Sequence, residues 1–108
     1  MTVLVLDDDA GVVRLLTVML EAQGYRVVGA QRWEDALLDQ HYDAALVDWH
    51  IGSADGRLAA DRLVQAGLDQ SRVAVMSGQH GLEAGPYRLW AKPFSLGELA
   101  SWIQSLEP

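Results

Sequence analysis

The stretch DAALVD, residues 43–48, decides the fold of this chain. Its four central residues are apolar without polar alternation, which is typical of a strand buried on both faces of a parallel sheet. The run ends on Asp48, and an ionised carboxylate at the end of a buried strand is costly unless another group binds it. Similar short runs recur along the chain, and we predict further strands at residues 2–6, 25–30, 72–77 and 87–91.

The segments between these strands carry apolar residues at helical spacing. Asp9 is the expected N-cap of the first helix, and Gly24 and Gly67 stand where left-handed residues end a helix. Strands that alternate with helices predict an α/β fold, a single domain over residues 1–108 with a doubly wound, five-stranded parallel sheet. We predict helices at 10–23, 33–40 and 57–66, a loop at 49–56, and a last helix that opens with the capping box SLGE at 95–98.

The composition excludes several classes of protein. With 108 residues, half of them hydrophobic, the chain has the size of one domain with one core. It has no cysteine, which excludes disulfides and thiolate metal sites. No apolar run reaches the length of a membrane span, so we expect a cytoplasmic location without membrane association. A net charge of −7 and a pI near 4.6 argue against nucleic acid as a partner and suit binding of cations or of a basic protein face.

The unusual polar residues lie at the carboxyl ends of the predicted strands, where sheets of this kind bind their ligands. These residues are Asp7 and Asp8, Asp48, Ser77 and Lys92. Three carboxylates at one place repel each other unless a cation is present, and oxygen ligands favour Mg²⁺. A carboxylate can itself be the nucleophile that forms an aspartyl phosphate. The metal would then bind one phosphoryl oxygen, an ammonium a second, and a hydroxyl or a backbone N–H a third.

Four segments carry a family resemblance: VLVLDDD (3–9), ALVDWHIGSADG (45–56), VAVMSG (73–78) and AKPF (91–94). Over essentially its whole length the chain resembles the receiver domain of two-component response regulators. The resemblance implies a flavodoxin-like sheet with strand order 2-1-3-4-5. It also implies that Asp48 accepts a phosphoryl group from the phosphohistidine of a histidine kinase or phosphotransfer protein.

The same resemblance assigns roles to the other residues of the site. Asp8 and Asp48 would bind Mg²⁺ by their side chains, Asp7 through water, and His50 through its backbone carbonyl. Lys92 would pair with the phosphoryl group, and Ser77 would move toward it. Such a domain is a phosphoacceptor rather than an enzyme, with only slow self-dephosphorylation expected. Because the sequence ends at Pro108, we expect output through a protein that the sequence does not name, or through onward phosphotransfer, whether the chain stands alone or is part of a hybrid kinase.

The chain departs from the family pattern between Ser77 and Lys92. These residues are only fifteen apart, and a glycine-rich segment, 78–86, stands where the family has a fourth helix. We therefore expect that helix to be missing, a single turn or irregular. Leu89 occupies the place of the usual switching aromatic residue, while Trp90 points to the opposite face by strand alternation. Together with Gly52, which replaces the usual proline, these departures leave an alternative function: a receiver-like interaction module whose switching is atypical or lost.

Two further alternatives are distinguished by single positions. A hydrolase of the aspartyl-phosphate type would need a second Asp two residues after the nucleophile, where this chain has His50. A dinucleotide-binding protein would need a glycine-rich turn after the first strand, where DDDAGV, residues 7–12, places negative charge instead. Trp49 follows the acceptor, and we expect it either at the rim of the site or partly buried on the loop.

Overall fold

A computed structural model describes residues 1–36, 40–51, 54–78, 85–92 and 94–107. The predicted α/β alternation is confirmed within these ranges. Strands and helices have the following bounds: β1 Thr2–Leu6, α1 Ala10–Ala22, β2 Arg26–Ala30, β3 Ala44–Asp48, β4 His50–Ile51, β5 Ala54–Asp55, α2 Gly56–Gln65, β6 Val73–Ser77, β7 Arg88–Ala91 and α3 Leu96–Ser105. None of the helices in this described part has the length and hydropathy that a bilayer crossing requires.

The main sheet has the order β2-β1-β3-β6-β7, and each neighbouring pair is parallel. Numbered along the chain within this sheet, the order is 2-1-3-4-5, so the expected flavodoxin-like topology is confirmed. The strand order reverses between β1 and β3, which is where doubly wound sheets bind ligands outside the carboxyl ends of their strands.

Helices cover both faces of the sheet. On one face α1 and α3 pack against alternate residues of the strands, with Leu16, Leu20, Leu99 and Ile103 fully buried. On the other face α2 contributes Ala59, Ala60 and Leu63. The strand residues divide by alternation: Val3 and Val5 face α1 and α3, whereas Leu4 and Leu6 face the opposite side. Every central strand is therefore buried on both faces, which explains its continuous apolar sequence.

The expected helix caps are present. The Asp9 carboxylate accepts the N–H groups of Gly11 and Val12 at the start of α1, and the Ser95 hydroxyl accepts the N–H of Glu98 at the start of α3. Gly24 (φ 92°) and Gly67 (φ 115°) follow the ends of α1 and α2 in the left-handed region. These local signals fix where the helices begin and end.

Two local predictions need correction. The predicted helix 33–40 is wrong at its start, where Trp33–Asp35 is a 3₁₀ turn and Ala36 is extended with ψ 127°; residues 37–39 lie outside the described residues. One helical turn gains too few hydrogen bonds to offset helix nucleation, and Ala36 instead packs into the core in an extended conformation. The predicted loop 49–56 contains a small antiparallel pair, β4 with β5, and α2 already begins at Gly56. The expected loss of the fourth helix within 78–86 concerns mostly residues 79–84, which like Gly52 lie outside the described residues.

Candidate functional site

Four strands deliver polar residues to the same edge of the sheet. Leu6 pairs with Val47 and Asp48 with Met76, so Asp7, next after β1, is level with Asp48. Ser77 pairs with Ala91, and Lys92 follows directly after β7. Asp7 and Ser77 are buried (0% and 1% exposed) and Asp48 is nearly so (7%). The parallel register therefore brings together residues that are far apart in sequence.

The three predicted acidic residues form a cluster. Asp7, Asp8 and Asp48 each offer a carboxylate oxygen, and these oxygens lie within 4.8 Å of one another. Asp8 is exposed, whereas the other two lie below it in the edge of the sheet. Hard oxygen ligands around a partly open position suit Mg²⁺, which binds through one or two carboxylates and retains water. The donor set therefore fits the metal that the sequence predicts.

Lys92 links the two buried carboxylates. Its ammonium lies 2.8 Å from Asp7 Oδ2 and 3.2 Å from Asp48 Oδ1. Burial alone would lower the pKa of Lys92, but the hydrogen bond and charge of Asp7, with the charge of Asp48, outweigh burial and raise that pKa. The Lys92 N–H donates to the carbonyl of Ser77 at 2.7 Å, which fixes the lysine backbone against β6. A permanent positive charge therefore stands beside Asp48.

The electrostatics of Asp48 differ from those of an ordinary surface carboxylate. Burial and then the charge of Asp7 raise the pKa of Asp48 from 3.8 to about 6, with a smaller contribution from Asp8, although Lys92 opposes the shift. One lysine therefore does not compensate for the burial and repulsion of the carboxylates. A bound divalent cation would favour the ionised form, and this need for further positive charge agrees with a metal at the cluster.

Backbone contacts hold the acidic residues in place. The Asp9 N–H donates to Asp7 Oδ1 at 2.9 Å, and the Trp49 N–H donates to the Met76 carbonyl at 2.7 Å. Gly56 approaches the acceptor backbone closely: a Cβ atom on it would lie 2.1 Å from the Asp48 carbonyl oxygen. Only glycine fits at this first position of α2 without displacing the backbone of Asp48.

The remaining predicted residues lie at or beside the cluster. His50 is exposed at the start of β4, two residues after Asp48. Trp49 is partly buried and packs on the α2 face of the sheet, which agrees with the expected partial burial on the loop after Asp48. Leu89 packs on that same face, whereas Trp90 lies in the core under α3, so the predicted opposition of these neighbours is confirmed.

Sequence reasoning missed a set of contacts behind the site. At the start of α2 the Asp55 carboxylate accepts the N–H of Arg57 at 2.8 Å. The Arg57 guanidinium, however, also lies over Gly85, and Asp61 bonds the hydroxyl of Tyr87. No spacing or motif indicates these contacts, although a glycine at the start of a helix is a signal for close backbone approach.

Comparisons with known proteins agree with this geometry. A family model described as the response regulator receiver domain matches residues 3–104. The phosphate regulon transcriptional regulatory protein PhoB of Pseudomonas aeruginosa is 29% identical over 97% of this chain and 51% of its own length. The transcriptional regulatory protein ResD of Bacillus subtilis is 28% identical over 96% of this chain and 47% of its own. The chain thus spans about half the length of these curated relatives.

Solved structures share the fold. The receiver domain of the Francisella response regulator 1452 superposes with a TM-score of 0.82 at 25% identity, covering 97% of this chain and 94% of that one. The response regulator TrrA from Thermotoga maritima, solved in complex with Mg(2+)-BeF, gives 0.84 at 19% identity over 98% of both chains. The family match covers nearly the whole sequence, and the acidic cluster lies where the strands of that fold end. The chain therefore belongs to the response regulator receiver domain family of two-component systems.

Proposed function

We propose that this chain is a Mg²⁺-dependent phosphoacceptor in a two-component phosphorelay. Asp48 takes a phosphoryl group from the phosphohistidine of a histidine kinase or of a phosphotransfer protein. One observation carries the proposal: Asp48 is buried beside Asp7 and Asp8, with the Lys92 ammonium 3.2 Å from one of its oxygens. This arrangement combines a nucleophile, a cation site and a fixed positive charge, which are the parts that phosphoryl transfer needs.

The proposed metal ligands are residues of the cluster and the loop after it. Asp8 and Asp48 would hold Mg²⁺ by their side chains, Asp7 through a water molecule, and His50 through its backbone carbonyl. Bound there, Mg²⁺ would neutralise charge on the phosphoryl oxygens. Support comes from the carboxylate oxygens within 4.8 Å and from the raised pKa of Asp48.

The transfer step follows from the position of Asp48. A carboxylate oxygen attacks phosphorus in line, and the P–N bond of the donor breaks as the new P–O bond forms. The donor imidazole leaves with the electron pair of the P–N bond. Lys92, now shared between Asp7 and Asp48, compensates the added charge, and Ser77 donates a hydrogen bond to a phosphoryl oxygen. Slow attack by water on the phosphorus then breaks the P–O bond to Asp48, which releases inorganic phosphate and returns the free carboxylate.

An apolar surface beside the acceptor suits the docking of the phosphodonor protein. Leu15 and Val18, which are 52% and 60% exposed, lie on α1. The adjacent groove is lined by Val12, Leu15, Leu16, Lys92, Phe94 and Leu96. Lys92 contacts both this groove and Asp48, so a helix docked there would bring its phosphohistidine to the acceptor.

Acetyl phosphate with Mg²⁺ tests the chemistry without a kinase. We expect intact mass to rise by one phosphoryl group and tryptophan fluorescence to change through Trp49, which adjoins the acceptor. Asp48→Asn removes the nucleophile and should abolish the mass increase. Asp9→Asn is the matched control, because it neutralises a neighbouring carboxylate outside the cluster and keeps a good helix cap. Labelling that survives in Asp48→Asn would refute the acceptor assignment.

Transfer from a phosphorylated histidine kinase tests the docking surface. Leu15→Ala combined with Val18→Ala should slow this transfer severalfold, because apolar contact area is lost. Labelling by acetyl phosphate should remain unchanged, since neither residue touches Asp48. Leu58→Ala is the control, as Leu58 is equally exposed (62%) but lies on α2. If Leu58→Ala slowed transfer from the kinase as much as the double variant does, docking at α1 would be contradicted.

The proposal also includes a cytoplasmic location and an output through a partner protein or onward phosphotransfer. Its support is the family match and the similarity to two transcriptional regulatory proteins, which are about twice as long as this chain. Pull-down with beryllofluoride-loaded protein, compared with Asp48→Asn, would identify the output protein by its dependence on the phosphorylated state.

A further inference from the structure

Helix α2 rests directly on the backbone of the acceptor. The Gly56 N–H donates to the Trp49 carbonyl at 2.7 Å. A Cβ atom at Gly56 would lie 2.1 Å from the Asp48 carbonyl oxygen and 2.8 Å from Trp49 Cα. With so little space between the two backbones, a displacement of residues 48 and 49 must be followed by the first turn of α2.

The same helix holds the segment that leads into β7. The Tyr87 hydroxyl donates to the Asp61 carboxylate, and Tyr87 is only 7% exposed. The Arg57 guanidinium lies over Gly85, where a Cβ atom would be 2.8 Å from Nη2 and where φ is +65°. We call these four residues, Arg57, Asp61, Gly85 and Tyr87, the α2 latch.

The latch continues into an apolar cluster that includes the neighbour of the acceptor. Buried Tyr87 belongs to this cluster with Ala60, Val73 and Val75, and Trp49 and Leu89 pack against the cluster. Burial, and then the hydrogen bond and charge of Asp61, raise the pKa of Tyr87 to about 12, although Arg57 opposes the shift. The Tyr87 hydroxyl is therefore protonated at neutral pH and can donate to Asp61.

Strand β7 is thus connected to the acceptor at both ends. Lys92 after its carboxyl end bonds Asp48 and Asp7 directly, and Tyr87 before its amino end reaches Asp48 through α2 and Gly56. The position three residues before the lysine, where the family resemblance leads us to expect a switching aromatic residue, holds Leu89. A coupling route in this chain must therefore use other contacts, and the latch supplies them.

We propose that the α2 latch couples the phosphorylation state of Asp48 to the conformation of residues 85–88, which lead into β7. The inference rests on the proposed function, since it needs a phosphoryl group at Asp48. Phosphorylation adds negative charge beside Lys92 and changes the contacts of residues 48 and 49. The ten-residue helix α2 moves as a unit and passes the change to Tyr87 and Gly85.

Amide chemical shifts with and without Mg²⁺ and beryllofluoride test this coupling. In the wild-type protein we expect two groups of changes. The first, at Asp48 and Gly56, reports binding; the second, at residues 85–88, reports coupling. Tyr87→Phe keeps the ring in the apolar cluster and removes only the donor to Asp61. In this variant the chemical-shift changes at Asp48 and Gly56 should remain. The changes at residues 85–88 should become as small as those of residues far from the site.

Two further variants make the result specific. Tyr25→Phe is the matched control, because Tyr25 is equally buried (7%) and its hydroxyl bonds a carboxylate, Glu107, away from α2. This variant should retain both groups of changes. Asp61→Ala removes the acceptor from a partly exposed helix position, so it tests the same bond if Tyr87→Phe fails to fold. It should behave as Tyr87→Phe does.

Each outcome has a defined meaning. Full-sized changes at residues 85–88 in Tyr87→Phe or Asp61→Ala overturn the latch. The latch is also overturned if the chemical shifts of the wild-type protein change at Asp48 and Gly56 but not at residues 85–88. That result would assign the chain to the interaction modules that do not switch. Absence of beryllofluoride binding, with no mass increase from acetyl phosphate, refutes the proposed function itself and the latch with it.

Discussion

Strand β3 joins two regions of opposite character, the interior of the sheet and its carboxyl edge. Residues 44–47 are fully buried and apolar, and burying a leucine such as Leu46 contributes about 1.5–3 kcal/mol. Asp48, the next residue, is buried beside two other carboxylates, and burial with repulsion raises its pKa to about 6. The interior stabilises the fold, whereas the edge holds groups whose charges oppose burial.

The difference teaches where stability and chemistry are separated in this protein. The register of the buried strands sets the positions of the residues at the edge. The interior residues are apolar, so they do not bear the unfavourable free energy of burying carboxylates. A change in the interior should lower stability and leave the site chemistry intact in the folded fraction. A change at the edge should alter the chemistry and leave stability unchanged or higher.

The largest expected effect is on the interior. Leu46→Ala should lower the free energy of unfolding by about 2–5 kcal/mol, because it leaves a cavity between β3 and the cover of α1 and α3. Urea titration measures the loss, and Leu58→Ala, at an exposed position, is the control. The fraction that remains folded should still be labelled at Asp48 by acetyl phosphate. A folded Leu46→Ala protein that cannot be labelled would show that interior and edge are not separable.

The next effect is the pH dependence that Asp48 imposes on the metal-free protein. Its pKa is raised on folding, so the native state binds the proton more tightly than the unfolded state does. Asp48 therefore contributes stability below pH 3.8, and this contribution is lost as pH rises through about 6. Relative to the wild type in chelator, Asp48→Asn should gain about 2–3 kcal/mol across that window.

Urea titrations at a series of pH values measure this gain. Asp9→Asn, which removes an exposed carboxylate outside the cluster, is the control for loss of one charge. A difference between Asp48→Asn and the wild type that does not vary with pH would contradict the electrostatic account of the edge.

Gly56→Ala should act at the junction of the two regions. The added Cβ would lie 2.1 Å from the Asp48 carbonyl oxygen, so α2 and the acceptor backbone must move apart. We expect a loss of about 1–3 kcal/mol in the free energy of unfolding and slower labelling by acetyl phosphate. Gly97→Ala is the control, because the Cβ of that helical position meets nothing closer than 3.7 Å. Normal labelling of Gly56→Ala would show that this contact does not position the acceptor.

The smallest expected effect is the stabilisation by Mg²⁺. At a free concentration about tenfold above its Kd, the metal should raise the free energy of unfolding by about 1.4 kcal/mol. Asp8→Asn should remove this gain without lowering the stability of the metal-free protein, because Asp8 is exposed. Thermal melts with Mg²⁺ and with chelator measure both quantities, and Asp9→Asn should keep the gain. An undiminished Mg²⁺ effect in Asp8→Asn would remove Asp8 from the proposed ligand set.

Sequence reasoning succeeded where the signal is local. Apolar runs predicted the five strands of the main sheet, and Asp9, Ser95, Gly24 and Gly67 marked helix ends because caps depend on a few neighbouring residues. It failed at residues 33–36, where apolar spacing indicated a helix but Ala36 is extended and packs into the core. A short segment has too little propensity of its own to resist its tertiary surroundings.

The sequence by itself determined that Asp7, Asp8, Asp48, Ser77 and Lys92 meet at one edge, because parallel strands end on the same side of a sheet. Only the tertiary structure decided how they meet. Lys92 and Asp7 are 85 residues apart, and the 2.8 Å between their charged atoms follows from the register of four strands. The bond from Tyr87 to Asp61 across 26 residues likewise depends on how α2 packs on the sheet. Contacts of this kind arise from packing between elements, and no local pattern in the chain records them.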